Sequence, residues 1–130
     1  MELKDYTTGL HHVGIPTGNI DASVAFYESL GFEIAHETTL NDTARVVYLE
    51  KNGHIVETYE TDDPAGATGS INHITVGVTD IDAAFELAKK MGYTITTGDE
   101  VIFLPFWDKG IRLVMLEGPS NELVELMQRL

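Results

Sequence analysis

The chain has 130 residues, 43% of them hydrophobic, no cysteine and a formal charge of −13. That length can bury a real core, and the missing cysteines exclude disulfides, thiol nucleophiles and thiolate metal sites. The acidic balance opposes binding to nucleic acid or anionic membrane surfaces; no apolar run reaches the ~18 residues of a membrane span, and no secretory leader is visible, so the cytoplasm is the expected location.

Residues 10–15 read as a strand, with Leu10, His12 and Gly14 on one face and His11, Val13 and Ile15 on the other. Residues 16–18 carry turn chemistry. Asn19 is an N-cap for a helix over 20–30, whose buried stripe is Ile20, Val24, Tyr27 and Leu30, and Gly31 suits the left-handed position that ends it. Strands follow at 32–39, 44–50 and 54–61, separated by turns at Asn41-Asp42 and Asn52-Gly53. The breaker-rich run 62–70 is a linker.

The second half repeats this order. A strand is expected over 71–78, with Ile74, Val76 and Val78 on one face and His73, Thr75 and Gly77 on the other. Asp80 caps a helix over 81–91 with Ile81, Ala84, Phe85, Ala88 and Met91 as its stripe, and Gly92 ends it. Strands are expected at 93–97, 111–117 and 123–129. Residues 99–110, rich in aromatics and holding Pro105, break the pattern.

Shifting the first copy by 61 places lays His12 on His73, Ile20-Asp21-Ala22 on Ile81-Asp82-Ala83, Gly31 on Gly92 and Ile34 on Ile95. The chain is therefore two βαβββ modules, about 9–61 and 71–129, within one domain spanning 1–130. The fold class is α+β: paired modules forming cupped mixed sheets with helices on the outer faces. Strand alternation then places His12 and Gly14, with Glu57 and Tyr59, on the concave face of the first sheet. It places His73, Thr75 and Gly77, with Leu123, Glu125 and Met127, on that of the second. Each module so contributes one His and one Glu. Two imidazoles and two carboxylates suit one divalent ion such as Ni, Co, Zn, Mn or Fe, and an octahedral ion would keep positions open for substrate. His11, on the opposite face, reads as packing or surface; His36 and His54, without repeat partners, read as solvated. Glu60 and Glu122 read as surface charge.

The segments LHHVGIP and IDASVAFYESLGFE (10–33), IVETYE (55–60), NHITVGVTDIDAA (72–84) and GPSNELVEL (118–126) resemble the vicinal oxygen chelate superfamily, which includes glyoxalase I, bleomycin and fosfomycin resistance proteins and extradiol dioxygenases. The resemblance implies a metal held by His12, Glu57, His73 and Glu125, commonly in a homodimer, with Glu57 or Glu125 also moving a proton. It implies a lyase or isomerase of glyoxalase type on a small substrate with vicinal oxygens. The alternatives are a metal-free protein that sequesters a ligand and, less favoured, a ring-cleaving dioxygenase. Tyr59, Thr75, Phe103, Phe106, Trp107 and Arg112 are the candidate substrate contacts. The aromatic trio reads either as a lid or as structural packing. The basic residue with which glyoxalase I meets glutathione has no counterpart beside His12, which leaves Arg45, Lys109 and Arg112 as the candidate cations.

Overall fold

The computed structural model describes every residue except Met1, Thr7, Gly9 and Ser70. The expected module start at residue 9 and linker end at residue 70 lie outside the described residues. The chain divides into two compact units, Met1–Pro64 and Ala65–Leu130, and the division falls inside the expected linker.

The first unit holds β1 (Val13–Thr17), α1 (Ile20–Ser29), β2 (Glu33–Leu40), β3 (Ala44–Lys51) and β4 (His54–Glu60), after a short 3-10 turn at Leu3–Asp5. Its sheet runs β1-β4-β3-β2, with β1 parallel to β4 and the other pairs antiparallel. The Asn19 side chain accepts from the Ala22 amide at 3.1 Å and starts α1. The helix ends because Gly31 takes φ +92°, letting Gly31 N donate to Glu28 O and Phe32 N to Tyr27 O. That turn folds Phe32 back onto Tyr27, with ring centroids 5.9 Å apart. Both hairpins carry positive φ at paired positions, Asn41 with Asp42 and Asn52 with Gly53, which matches the twist of the flanking strands.

Ile20, Phe26 and Tyr27 of α1 bury against the face of the sheet that carries Val47, Leu49 and Val56. The stripe is therefore shifted from the expected one: Ser23 and Phe26 are buried, while Val24 and Leu30 are only half-buried. Ser23 belongs in the core because its hydroxyl donates to Thr17 Oγ1 at 2.8 Å. Pro16, expected in a turn, lies within β1 opposite Tyr59. β1 is an edge strand, so a missing N–H there breaks no inner ladder.

The second unit holds β5 (His73–Gly77), α2 (Ile81–Lys90), β6 (Thr94–Ile95), β7 (Ile102–Leu104), β8 (Ile111–Glu117) and β9 (Leu123–Arg129). The order is β5-β9-β8-β6, with β7 also on β8. Asp80 caps α2 through the Ala83 amide, and Gly92 (φ +79°) ends it. Ile81, Phe85 and Ala88 are buried, but Met91 sits at the C-cap and is exposed, contrary to the expected stripe.

The strand expected at 93–97 is cut to two residues. Thr96 N still donates to Met115 O at 2.9 Å; the chain then leaves the ladder, and Thr97 Oγ1 accepts from Met115 N at 3.0 Å. Pairing with β8 resumes at β7, inside the stretch expected to be irregular. β6 and β7 are thus one strand interrupted by an insertion, the counterpart of the continuous β2. The chain is an α+β protein of two βαβββ modules with mixed sheets and two helices.

Candidate metal centre and ligand cavity

In the first unit, the register sets Tyr48 opposite Glu57 and Val46 opposite Tyr59, and these side chains share the face turned away from α1. His12 immediately precedes β1, with Nε2 3.4 Å from Glu57 Oε1. Its Nδ1 lies 2.8 Å from Nδ1 of His11. Gly14 stands beside the carboxylate; a Cβ there would lie 3.3 Å from Glu57 Oε1.

The second unit repeats the arrangement. His73 Nε2 lies 3.8 Å from Glu125 Oε2, and its Nδ1 lies 2.9 Å from Asn72 Oδ1. Thr75 Oγ1 donates to Glu125 Oε1 at 3.4 Å. In both units, therefore, Nδ1 is held by the preceding residue and Nε2 faces the carboxylate. Fixing one ring nitrogen in this way leaves the other presented as a donor to a cation.

Both Nε2–carboxylate separations are long for a direct hydrogen bond, as is the Thr75 contact. Two ligands at about 2.1 Å from a common ion stand roughly 3–3.4 Å apart; the His12–Glu57 pair has that spacing, and the His73–Glu125 pair, at 3.8 Å, is wider. Glu125 is only 9% exposed. Its neighbours are a histidine and a hydroxyl, and among the described residues no Lys or Arg forms an ion pair with it. A buried carboxylate without a cation is costly, and a divalent ion would offset that cost. The residues present fit such an ion. Among the described residues the grouping stops at pairs: no set of three or more His, Asp or Glu side chains forms an ion-holding group.

The face around Glu57 also lines a cavity of about 650 Å3. Its apolar wall includes Leu40, Ala44, Val46 and Ile55; its polar groups include His11, His36, Tyr48 and Tyr59. Tyr48 is the residue that sequence reasoning missed. The phenol stands across the ladder from the Glu57 carboxylate and is raised above its ordinary range by hydrogen bonding to that carboxylate, then by burial and the carboxylate's charge. Its ring meets His12 edge-on at 5.4 Å and approaches His36 at 6.0 Å. The signal was available: a two-residue turn at Asn52-Gly53 pairs 51 with 54, and counting back puts 48 opposite 57. His11, expected as packing or surface by strand alternation, lines the cavity because β1 begins only at Val13. His36, expected to be solvated, is exposed and also faces the cavity. Glu60, expected as plain surface charge, accepts from the Arg45 amide at 3.2 Å and reaches the cavity edge.

Other candidate contacts lie elsewhere. Val114 pairs with Leu126 and Met115 with Glu125, so Arg112 lies on the α2 face rather than with Glu125. There it binds Asp82 through both guanidinium nitrogens, at 2.8 and 2.9 Å, which removes it from the candidate substrate contacts. Phe103, directly opposite Arg112, shares that face and packs against Gly110. Phe103 nevertheless stays 56% exposed. Phe106 and Trp107 are exposed, with the Arg129 guanidinium 4.4 Å over the Trp107 ring. Arg45 repeats the Arg112 arrangement: it pairs with Asp21 of α1 at 2.8 Å and with Glu37 at 3.0 Å.

A duplicated βαβββ unit with a His–Glu pair in each copy defines a class, and family comparison agrees. Residues 9–125 match the Glyoxalase/Bleomycin resistance protein/Dioxygenase superfamily, and the chain belongs to it. It is 30% identical over 128 residues to YwbC of Bacillus subtilis strain 168, itself uncharacterized, covering 92% of this chain and 97% of that one. Among solved structures it is similar to a glyoxalase family protein of Bacillus cereus, with TM-score 0.78 and 17% identity over 100% of this chain and 99% of that one. It is also similar to the fosfomycin resistance protein FosX of Listeria monocytogenes, solved with Mn(II) and sulfate, with TM-score 0.73 and 16% identity over 95% and 94% of the two chains. At such identities the solved structures speak to fold.

Proposed function

We propose that the protein is a divalent-metal-dependent lyase or isomerase of glyoxalase type, acting on a small substrate with oxygens on adjacent carbons. His12, Glu57, His73 and Glu125 are the proposed ligand set, in a homodimer. The observation that carries this reading is the repeated pair: in both units an imidazole Nε2 faces a carboxylate that lacks a Lys or Arg partner among the described residues. FosX, solved with Mn(II), is a precedent for a divalent ion on this fold.

When bound, a divalent ion supplies Lewis acidity toward the paired oxygens. The chain's own residues do the rest. His11 and Asn72 orient the two imidazoles. Tyr48 and Thr75 each donate a hydroxyl to one carboxylate. Glu57 or Glu125 takes the proton from the carbon beside the carbonyl, the electron pair of that C–H bond shifts toward the carbonyl, and the same carboxylate returns the proton to the neighbouring carbon.

The test is proton exchange. In D2O, the metal-loaded protein should wash deuterium into the carbon-bound position of a neutral α-hydroxyketone, and His73→Ala should abolish the exchange. Exchange surviving in His73→Ala would contradict the proposal. The apolar cavity with its two tyrosines favours a second reading, metal-free ligand sequestration, which predicts tight ligand binding without exchange.

A further inference from the structure

The cavity beside Glu57 has a charge character that its sequence neighbourhood does not reveal. The first unit contains three cationic side chains, Lys4, Arg45 and Lys51, and none of them lines the cavity. Lys4 pairs with Glu2 at 2.8 Å in the N-terminal turn. Arg45 belongs to the opposite face of the sheet, because Val46 and not Arg45 pairs with Tyr59, and its guanidinium is held between Asp21 and Glu37. Lys51 lies at the hairpin end over Gly31.

The ionisable groups that do line the cavity are the carboxylates of Glu57 and Glu60 and the imidazoles of His11 and His36, besides the two tyrosines. The remaining wall is largely aliphatic, with aromatic edges from Tyr48 and Tyr59. Tyr48 lies directly opposite Glu57 in the ladder. An anionic tail entering this space, away from the proposed ion, would leave water, meet no Lys or Arg of the first unit and approach the carboxylate of Glu60. A molecule with an apolar body and no negative charge suffers none of these costs.

We infer that the cavity selects a small, apolar ligand bearing no negative charge. This rests on the proposed function's use of the same site, and it separates the protein's substrate from phosphorylated, phosphonate and carboxylate-tagged compounds. The exclusion is built by topology: the register of β3 sends Arg45 to Asp21 of α1, as that of β8 sends Arg112 to Asp82 of α2.

Three matched catechols test it: 4-ethylcatechol, 4-(2-aminoethyl)catechol and 3-(3,4-dihydroxyphenyl)propanoate, which share the aromatic vicinal oxygens and differ in tail charge. Affinities are measured by calorimetry on the chelator-stripped and the Mn(II)-loaded protein. In both forms the neutral and cationic compounds should bind, and the carboxylate roughly tenfold or more weaker. Thr38→Arg, which places a cation on the cavity wall, should narrow or reverse that gap. The inference is overturned by a carboxylate that binds as well as its neutral partner, by no binding of any of the three, or by a Thr38→Arg variant that leaves the order unchanged. Absence of Mn(II) binding would instead count against the proposed function, because the order among the three ligands is still read on the stripped protein.

Discussion

The two modules keep the same His–Glu pair but support it differently. In module one a glycine, Gly14, leaves room beside Glu57, and the hydroxyl donor comes from across the sheet, Tyr48 of β3. In module two the residue at the matching place is Thr75, which supplies the hydroxyl itself, while Met115 takes the place of Tyr48. Nδ1 of each histidine is held by the residue before it, His11 in one copy and Asn72 in the other. The Arg–Asp bridge from sheet to helix persists in both. What the copies share is the pair, the caps and the bridge; what differs is the chemistry of the support. The comparison teaches that the pair is the constraint and that any group of the right polarity can serve it.

The largest expected effect probes the shared scaffold. Leu49 and Leu116 are both fully buried at matching places on the helix-facing side. Leu49→Ala and Leu116→Ala should each cost about 2–5 kcal/mol in urea unfolding. A cost confined to one of them would show that the modules are not equivalent in packing.

Removal of the supporting hydroxyls comes next. Tyr48→Phe and Thr75→Val should each weaken divalent-metal affinity about 10- to 100-fold in calorimetric titration, with the larger loss for Tyr48. Met115→Leu, at the place matching Tyr48, should leave affinity unchanged. A strong effect of Met115→Leu would break the assignment of Tyr48 as the special member of that position.

A smaller effect is expected at Thr58, which is fully buried and whose hydroxyl has no partner among the described residues. Module two carries Leu126 at the matching place. Thr58→Val should be neutral or stabilising by up to about 1 kcal/mol, read as a rise in Tm. A clear loss would reveal a hidden partner for the hydroxyl.

The smallest effect concerns the bridge. Arg112, hydrogen-bonded to Asp82, holds the Asp82 carboxyl below its ordinary range. A depressed carboxylate stabilises the fold above its unfolded pKa of about 3.9, and that contribution is lost as pH falls through the lower folded value. Asp82→Asn should therefore lower stability slightly at neutral pH and flatten its decline below about pH 4. An unchanged acid profile would show that the exposed pair contributes nothing.

Much of the architecture was legible because its signals are local. Asn19, Asp80, Gly31 and Gly92 mark helix ends through backbone groups that need partners, and Asn52-Gly53 marks a turn that few other residues fit. The internal repeat then marked out the two modules. What the sequence hid depends on neighbours distant along the chain. Pro16 is tolerated because β1 is an edge, which only the sheet order reveals. β7 forms because β8 offers an unpaired edge beyond the insertion, whatever the composition of 99–110 suggests. Arg112 and Phe103 were placed at the site by chemistry alone, and register sends both to the other face. Tyr48 was within reach of the sequence, because the Asn52-Gly53 turn fixes 48 opposite 57.

The central claim is that the paired imidazoles and carboxylates hold a metal ion. Calorimetric titration of chelator-stripped, tagless protein with Mn, Co, Ni and Zn tests it most directly. The account predicts about one ion per chain, with binding lost in both Glu57→Ala and Glu125→Ala while the variants remain folded by circular dichroism. Wild-type protein that binds none of these ions, or binding that survives in both variants, would contradict it.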